Sequence, residues 1–326
     1  MLFYIGLTLG TFITLSSENW LSMWVGLEIN LMSFIPILYK TNNKFSSESC
    51  MIYFLVQSLG STLLLMSMMI NFLNVVSPNA FSNLMKILLI LSIMIKLGLP
   101  PFHLWFPSIL KKLSWMNSII LMTWQKVAPL TIFSHLIMEM EFINYIIVLT
   151  VAISSLGGMN QTSIPMIMGY SSINHMGWMI SCMKYNNMFW LNYLTLYSII
   201  IFMTVWFFNK NNILFLNQMI HSTFSLMEKM VIIFLLMNMG GLPPFLGFFL
   251  KWLVIQSMIP SKSFFIMFIM IMSTLVTLLF YLRIISPILL FNSMMNKWNF
   301  KESKNKILFN LIFFLNLSLP LIVIFN

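Results

Sequence analysis

The sequence predicts an all-α polytopic membrane protein, and three observations carry that prediction. Hydrophobic residues make up 60% of the 326-residue chain and charged residues only 7%, far below the roughly 25% charged share of soluble domains. The apolar residues gather in runs of about 17 to 25, the length that crosses a hydrocarbon core as a helix. The longest polar interval, 292 to 306, reads as a loop rather than a folded soluble unit.

Taken in order, the spans fall at 2 to 16, 20 to 39, 50 to 74, 82 to 110, 115 to 138, 142 to 158, 161 to 183, 188 to 208, 223 to 259, 263 to 291 and 307 to 325, eleven in all. The first has no basic stretch or small-residue cleavage site near Met1, so it reads as a retained helix. The fourth and ninth are too long for one straight crossing. Each holds the same pentapeptide, Gly98-Leu99-Pro100-Pro101-Phe102 and Gly241-Leu242-Pro243-Pro244-Phe245. Proline removes an amide donor and its ring clashes with the preceding turn, while glycine lets the backbone open. Both spans are therefore predicted as broken helices. In lipid such a break requires protein or a water-filled cavity around the freed backbone groups.

The two pentapeptides lie five spans apart, an odd number, so their helices cross in opposite senses, the mark of an inverted-topology repeat. The chain is then a single transmembrane domain over 1–326. It has one five-helix repeat in 1–140, a second in 141–291, and a loop with a last helix in 292–326. Lysines favour the loops after even-numbered spans, Lys40, Lys44, Lys111, Lys112 and Lys210 among them, over Lys86, Lys184 and Lys262 on the other side. The positive-inside rule then places the N-terminus on the matrix side and the C-terminus on the opposite face.

Charge also excludes partners. The seventeen basic residues outnumber seven glutamates, with no aspartate, but they are scattered singly, so nucleic acid is not an expected partner. Met 32, Phe 31, three alanines and the single arginine Arg283 fit an AT-rich mitochondrial genome with a methionine-rich code.

Four charged residues fall inside predicted spans: Glu28, Lys96, Lys126 and Lys251. Unpaired at the bilayer centre they would cost on the order of 10 to 14 kcal/mol together. Burial disfavours an ammonium and a nearby carboxylate restores it, so small movements can switch protonation; this points to a proton relay. The plainer alternative is a static ion pair between Glu28 and Lys96 or Lys126 that orients helices, and for Lys251 a snorkelling side chain. Lys96 precedes its break and Lys251 follows its own, so the two are related by location rather than as strict repeat equivalents. His103, just after the first break, and His175, within its span, can also pass protons at neutral pH, or serve as hydrogen-bonded packing residues.

No dinucleotide fingerprint, P-loop or zinc spacing is present. Cys50 and Cys182 fall toward opposite faces and cannot share a cluster, and no two of the four histidines face each other convincingly as haem ligands. The expectation is a chain that binds no cofactor and no metal.

Five ordered motifs carry a family resemblance: Trp24-Val-Gly-Leu-Glu28-Ile-Asn30, Ile95-Lys96-Leu-Gly-Leu-Pro-Pro-Phe-His103-Leu-Trp105, Thr123-Trp-Gln-Lys126-Val-Ala-Pro129, Tyr170-Ser-Ser-Ile-Asn-His175-Met-Gly-Trp178 and Gly240-Gly-Leu-Pro-Pro-Phe-Leu-Gly-Phe-Phe-Leu-Lys251-Trp252. Over essentially its whole length the chain resembles the subunit 2 family of mitochondrial NADH:ubiquinone oxidoreductase, respiratory complex I, in its animal eleven-helix form. That family is related to cation/proton antiporter subunits. The resemblance implies a core membrane-arm subunit of the mitochondrial inner membrane that takes part in proton translocation. NADH, flavin, iron-sulfur clusters and ubiquinone would be handled by other subunits. Partners would be other membrane-arm subunits and phospholipids, including cardiolipin. By motif match Glu28 pairs with the broken-helix Lys96, Lys126 is the central connecting lysine, and Lys251 faces an exit half-channel or the next subunit. Two other readings remain open at this point: a stand-alone cation/proton antiporter, and a structural spacer of the membrane arm.

Overall fold

The computed structural model describes residues 2–39, 43–74, 82–137, 142–186, 189–221 and 226–291. All regular structure among them is helical, apart from one isolated bridge between Ser163 and Phe215. The chain divides into two compact units, 1–146 and 147–326.

The first unit contains α1 (Leu2–Ser16), α2 (Trp20–Leu38), α3 (Lys44–Asn74), α4 (Ser82–Leu97), α5 (Trp105–Lys112), α6 (Trp115–Met122) and α7 (Trp124–Leu136). α1 and α2 pack backbone to backbone: a Cβ on Gly10 would lie 2.9 Å from the Gly26 carbonyl oxygen. α7 runs against α4, α2 and α1, and α3 covers α4 and α5. The α3–α4 seam is built from small residues, with Gly60, Ser61, Ser67 and Ser92 all on it or beside it. Small side chains are what allow close helix approach where lipid supplies no hydrophobic drive.

α8 (Ile143–Met159) leads into the second unit, which contains α9 (Ile164–Tyr185), α10 (Phe189–Lys210), the short α11 (Leu216–His221), α12 (Leu226–Gly240), α13 (Leu246–Met258) and α14 (Phe264–Phe291). α9 is buried without interruption from Ile167 to Met183 although it carries serines, Asn174 and His175. Protein rather than lipid surrounds it, so its polarity is tolerated. Arg283 on α14 donates to the carbonyl oxygens of Met159, the last residue of α8, and Gln161, two residues beyond it. A cation there complements the C-terminal end of that helix.

Trp20–Leu38, Lys44–Ile70, Phe189–Lys210 and Phe264–Leu289 are each long and apolar enough to cross a membrane alone. Serine and threonine hydroxyls within them pair locally: Ser33, Ser61, Thr204 and Ser273 each donate to the carbonyl three residues back at 2.6 to 3.0 Å. That local bond hides a polar side chain within its own helix.

Both spans with the duplicated pentapeptide are broken, between α4 and α5 and between α12 and α13. Two expectations are corrected. The span 115 to 138 is not one helix: Thr123 (φ −116°, ψ −72°) separates α6 from α7. Lys44, expected in a loop, is the first residue of α3, which starts six residues before the predicted span. The last predicted helix, 307 to 325, lies outside the described residues.

Candidate functional site

The two breaks share one construction. Gly98 and Gly241 adopt left-handed backbone, φ 70° and 75°, which glycine reaches without a Cβ clash. In the first, the Gly98 amide donates to Ile95 O at 3.2 Å and the Leu99 amide to Met94 O at 2.9 Å. In the second, Gly241 donates to Asn238 O at 3.0 Å and Leu242 to Met237 O at 3.4 Å. This pair of bonds is the Schellman ending of a helix. The prolines then remove the donors that a continuing helix would supply. Lys96 O and Leu97 O would pair with residues 100 and 101, and Met239 O and Gly240 O with residues 243 and 244, all four of them proline.

In the first unit the side chain of Gln57, on α3, supplies a substitute, donating from Nε2 to Lys96 O at 3.1 Å. The Lys96 side chain is 6% exposed and its stem lies on Gly60. Lys96 and Lys126 line one cavity of ≈ 30 Å³ together with Asn30, Tyr53, Gln57 and Gln125. A water centre needs about 10 to 15 Å³, so the space suits about two waters. One wall is a hydrogen-bonded chain: Tyr53 OH donates to Gln125 Oε1 at 3.2 Å, and Gln125 Nε2 donates to Asn30 Oδ1 at 3.1 Å. The Lys126 ammonium sits 5.1 Å from the centre of the Phe106 ring, within cation–π range.

Glu28 lies on α2 between Leu27 and Asn30, both of which line the cavity. Its buried Oε1 has no hydrogen-bond partner. No ion pair at contact distance joins Glu28 to Lys96 or Lys126 among the described residues, so the static pair weighed from the sequence is not formed in this structure; Glu48 of the same unit pairs with Lys112. His103 stands apart from the cavity lining, half-exposed, with Nδ1 3.3 Å from Pro101 O.

In the second unit Lys251, on α13, donates from Nζ to Gly240 O at 2.6 Å. The lysine thus supplies the donor that Pro244 lacks. Lys96 and Lys251 differ in sequence position relative to their breaks, yet each belongs to the C-terminal end of the first half-helix, where the macrodipole favours a cation. Asn238 tightens the same break, its Oδ1 accepting the Gly247 amide at 2.6 Å. His175 is buried on α9, with Nδ1 2.8 Å from the Tyr193 hydroxyl and its ring 4.8 Å from that of Tyr197.

Sequence reading missed the neutral members of these sites: Tyr53, Gln57, Gln125, Asn238 and Tyr193. The retrievable signal was a cluster of amides and phenols inside spans otherwise made of Leu, Ile, Met and Phe.

An all-helical membrane chain with two broken helices, each with a buried lysine at the break, has the build of an antiporter-type membrane subunit. The family model described as NADH:quinone oxidoreductase/Mrp antiporter, TM matches residues 17–277. The Anopheles gambiae NADH-ubiquinone oxidoreductase chain 2 is 42% identical over 307 residues, 93% of this chain and 90% of the relative. Among solved structures, a chain of the respiratory complex I of Thermus thermophilus superposes with a TM-score of 0.78 at 20% identity, covering 88% of this chain and 70% of the other. A chain of an archaeal membrane-bound sulfane sulfur reductase gives 0.81 at 14% identity, covering 99% and 72%. The chain belongs to the NADH-ubiquinone oxidoreductase chain 2 family.

Proposed function

We propose that this chain is a multi-pass membrane-arm subunit of mitochondrial respiratory complex I, in the inner membrane, and that it takes part in proton translocation driven by NADH oxidation and ubiquinone reduction elsewhere in the complex. The observation that carries this reading is the cavity that brings Lys96 and Lys126 together, with Glu28 on α2 between its lining residues Leu27 and Asn30 and its buried Oε1 without a hydrogen-bond partner.

The magnitudes match the task. Closing a carboxylate–ammonium pair to about 4 Å is worth roughly 4 kcal/mol at an effective dielectric constant of about 20. Moving one charge across about 200 mV costs roughly 4.6 kcal/mol. A change in Glu28–Lys96 separation, imposed from a neighbouring subunit, is thus of the right size to drive a proton from Lys96 toward Lys126. His175 and Lys251 would carry the corresponding steps in the second unit, and His103 would serve at the first break.

The same reading places the N-terminus on the matrix side and takes residues 1–140 and 141–291 as inverted-topology repeats. It assigns every redox group, and the binding of NADH and ubiquinone, to other subunits. Its partners are neighbouring membrane-arm subunits and phospholipids including cardiolipin.

The test is Lys96→Met in the intact complex, with assembled enzyme, quinone reduction and proton pumping measured on one preparation. Normal assembly with turnover and pumping lowered together supports the relay; unchanged activity per assembled complex refutes it.

A further inference from the structure

Each break strands two carbonyls, and a different member of the pair is repaired at each. At the second, the lysine itself donates to Gly240 O, the counterpart of Leu97 O. At the first, the donor is a neutral amide from another helix, Gln57 on α3, and the acceptor is the carbonyl of Lys96 itself. Among the described residues the Lys96 ammonium makes no direct hydrogen bond, and it faces the cavity.

One turn after Gln57, α3 carries Gly60. A Cβ there would stand 2.8 Å from Lys96 Cγ and 3.3 Å from Cε, and 3.2 Å from Ser92 O. The volume a side chain would fill is occupied by the lysine stem. The two α3 residues thus hold Lys96 at both ends: Gln57 fixes its backbone, and Gly60 leaves the channel along which its side chain runs.

We propose that Gln57 and Gly60 are positioning residues for Lys96. By donating to Lys96 O, Gln57 fixes the backbone from which the lysine side chain leaves. By lacking a side chain, Gly60 sets how far the ammonium reaches into the cavity. Around the same cavity stand Asn30 from α2, Tyr53 and Gln57 from α3, and Lys126 and Gln125 from α7, with Glu28 on α2 between the lining residues Leu27 and Asn30. A displacement of the ammonium changes its separation from each of them. The inference rests on the relay reading of Lys96 given above.

The test uses the intact complex carrying Gly60→Ala, Gln57→Leu or Lys96→Met, with coupled turnover per assembled complex measured across pH. A misplacement of about 1 Å costs up to about a hundredfold in rate, so Gly60→Ala is expected to lower turnover at least about tenfold. Gln57→Leu keeps the size of the side chain and removes its donor; it is expected to lower turnover and move the pH profile in assembled enzyme. A contact that only packs helices would change the amount of complex and leave that profile in place. If Lys96→Met removes coupled turnover while both α3 variants keep wild-type turnover and pH profile, the positioning proposal fails and the relay stands. If Lys96→Met is without effect, the relay itself fails. Loss of assembly in both α3 variants also overturns the proposal, since it assigns them packing alone.

Discussion

Gly241→Ala puts the second break to a quantitative test. The new Cβ would lie 2.8 Å from Lys251 Nζ and 2.9 Å from its Cε, on backbone with φ 75°. Left-handed backbone at a residue other than glycine costs about 1 to 2 kcal/mol. Displacing the ammonium also loses its hydrogen bond to Gly240 O, about 1.5 to 3 kcal/mol for a charged donor. Together the change destabilises the break by about 2.5 to 5 kcal/mol. In a Lys251→Ala background the hydrogen bond and the clash are already gone, and only the backbone cost of about 1 to 2 kcal/mol remains. Roughly half or more of the effect should therefore vanish in the double variant. The assay is the fraction of complex that stays assembled as temperature rises, for wild type, both single variants and the double. Equal effects of Gly241→Ala in the two backgrounds would refute the coupling, and a neutral Gly241→Ala would refute the need for positive φ.

Asn238→Leu leaves the buried Gly247 amide without its acceptor, at a cost of about 1 to 3 kcal/mol; less assembled complex is expected, while turnover rescued by Asn238→Asp, which keeps an acceptor, would support the contact. Tyr193→Phe removes the hydroxyl that meets His175 Nδ1; coupled turnover per assembled complex should fall, and no change in it would take His175 out of the relay. Glu48→Gln breaks the exposed pair with Lys112, and since such pairs are worth about 0 to 1 kcal/mol, assembly and turnover should stay at wild-type values; a large loss in either would contradict that assignment.

What the sequence showed and hid follows from the kind of signal each feature carries. Apolar runs and Gly-x-Pro-Pro breaks are local, so the helices and both broken spans were legible. The interruption at Thr123 was not. No proline or glycine lies between Trp115 and Ala128, and the opening shows only in the backbone angles. Charged residues stand out in a chain so poor in charge, which is why Glu28, Lys96, Lys126 and Lys251 were named at once. The amides of Gln57 and Gln125 carry no such contrast, and α3 and α7 bring them to the lysines only through packing. The relation between Lys96 and Lys251 was hidden for a similar reason. Their offsets from the pentapeptide differ in sign, and only the Gly240 O contact places Lys251 at the end of the preceding half-helix.

The central claim is that the cavity shared by Lys96 and Lys126 belongs to the path of energy conversion. Proton pumping and NADH-driven quinone reduction, both per assembled complex, in enzyme carrying Lys126→Met test it most directly. The account predicts normal assembly with both falling together by at least about tenfold, equivalent to about 1.4 kcal/mol. Pumping and turnover both at wild-type values in that variant would contradict it.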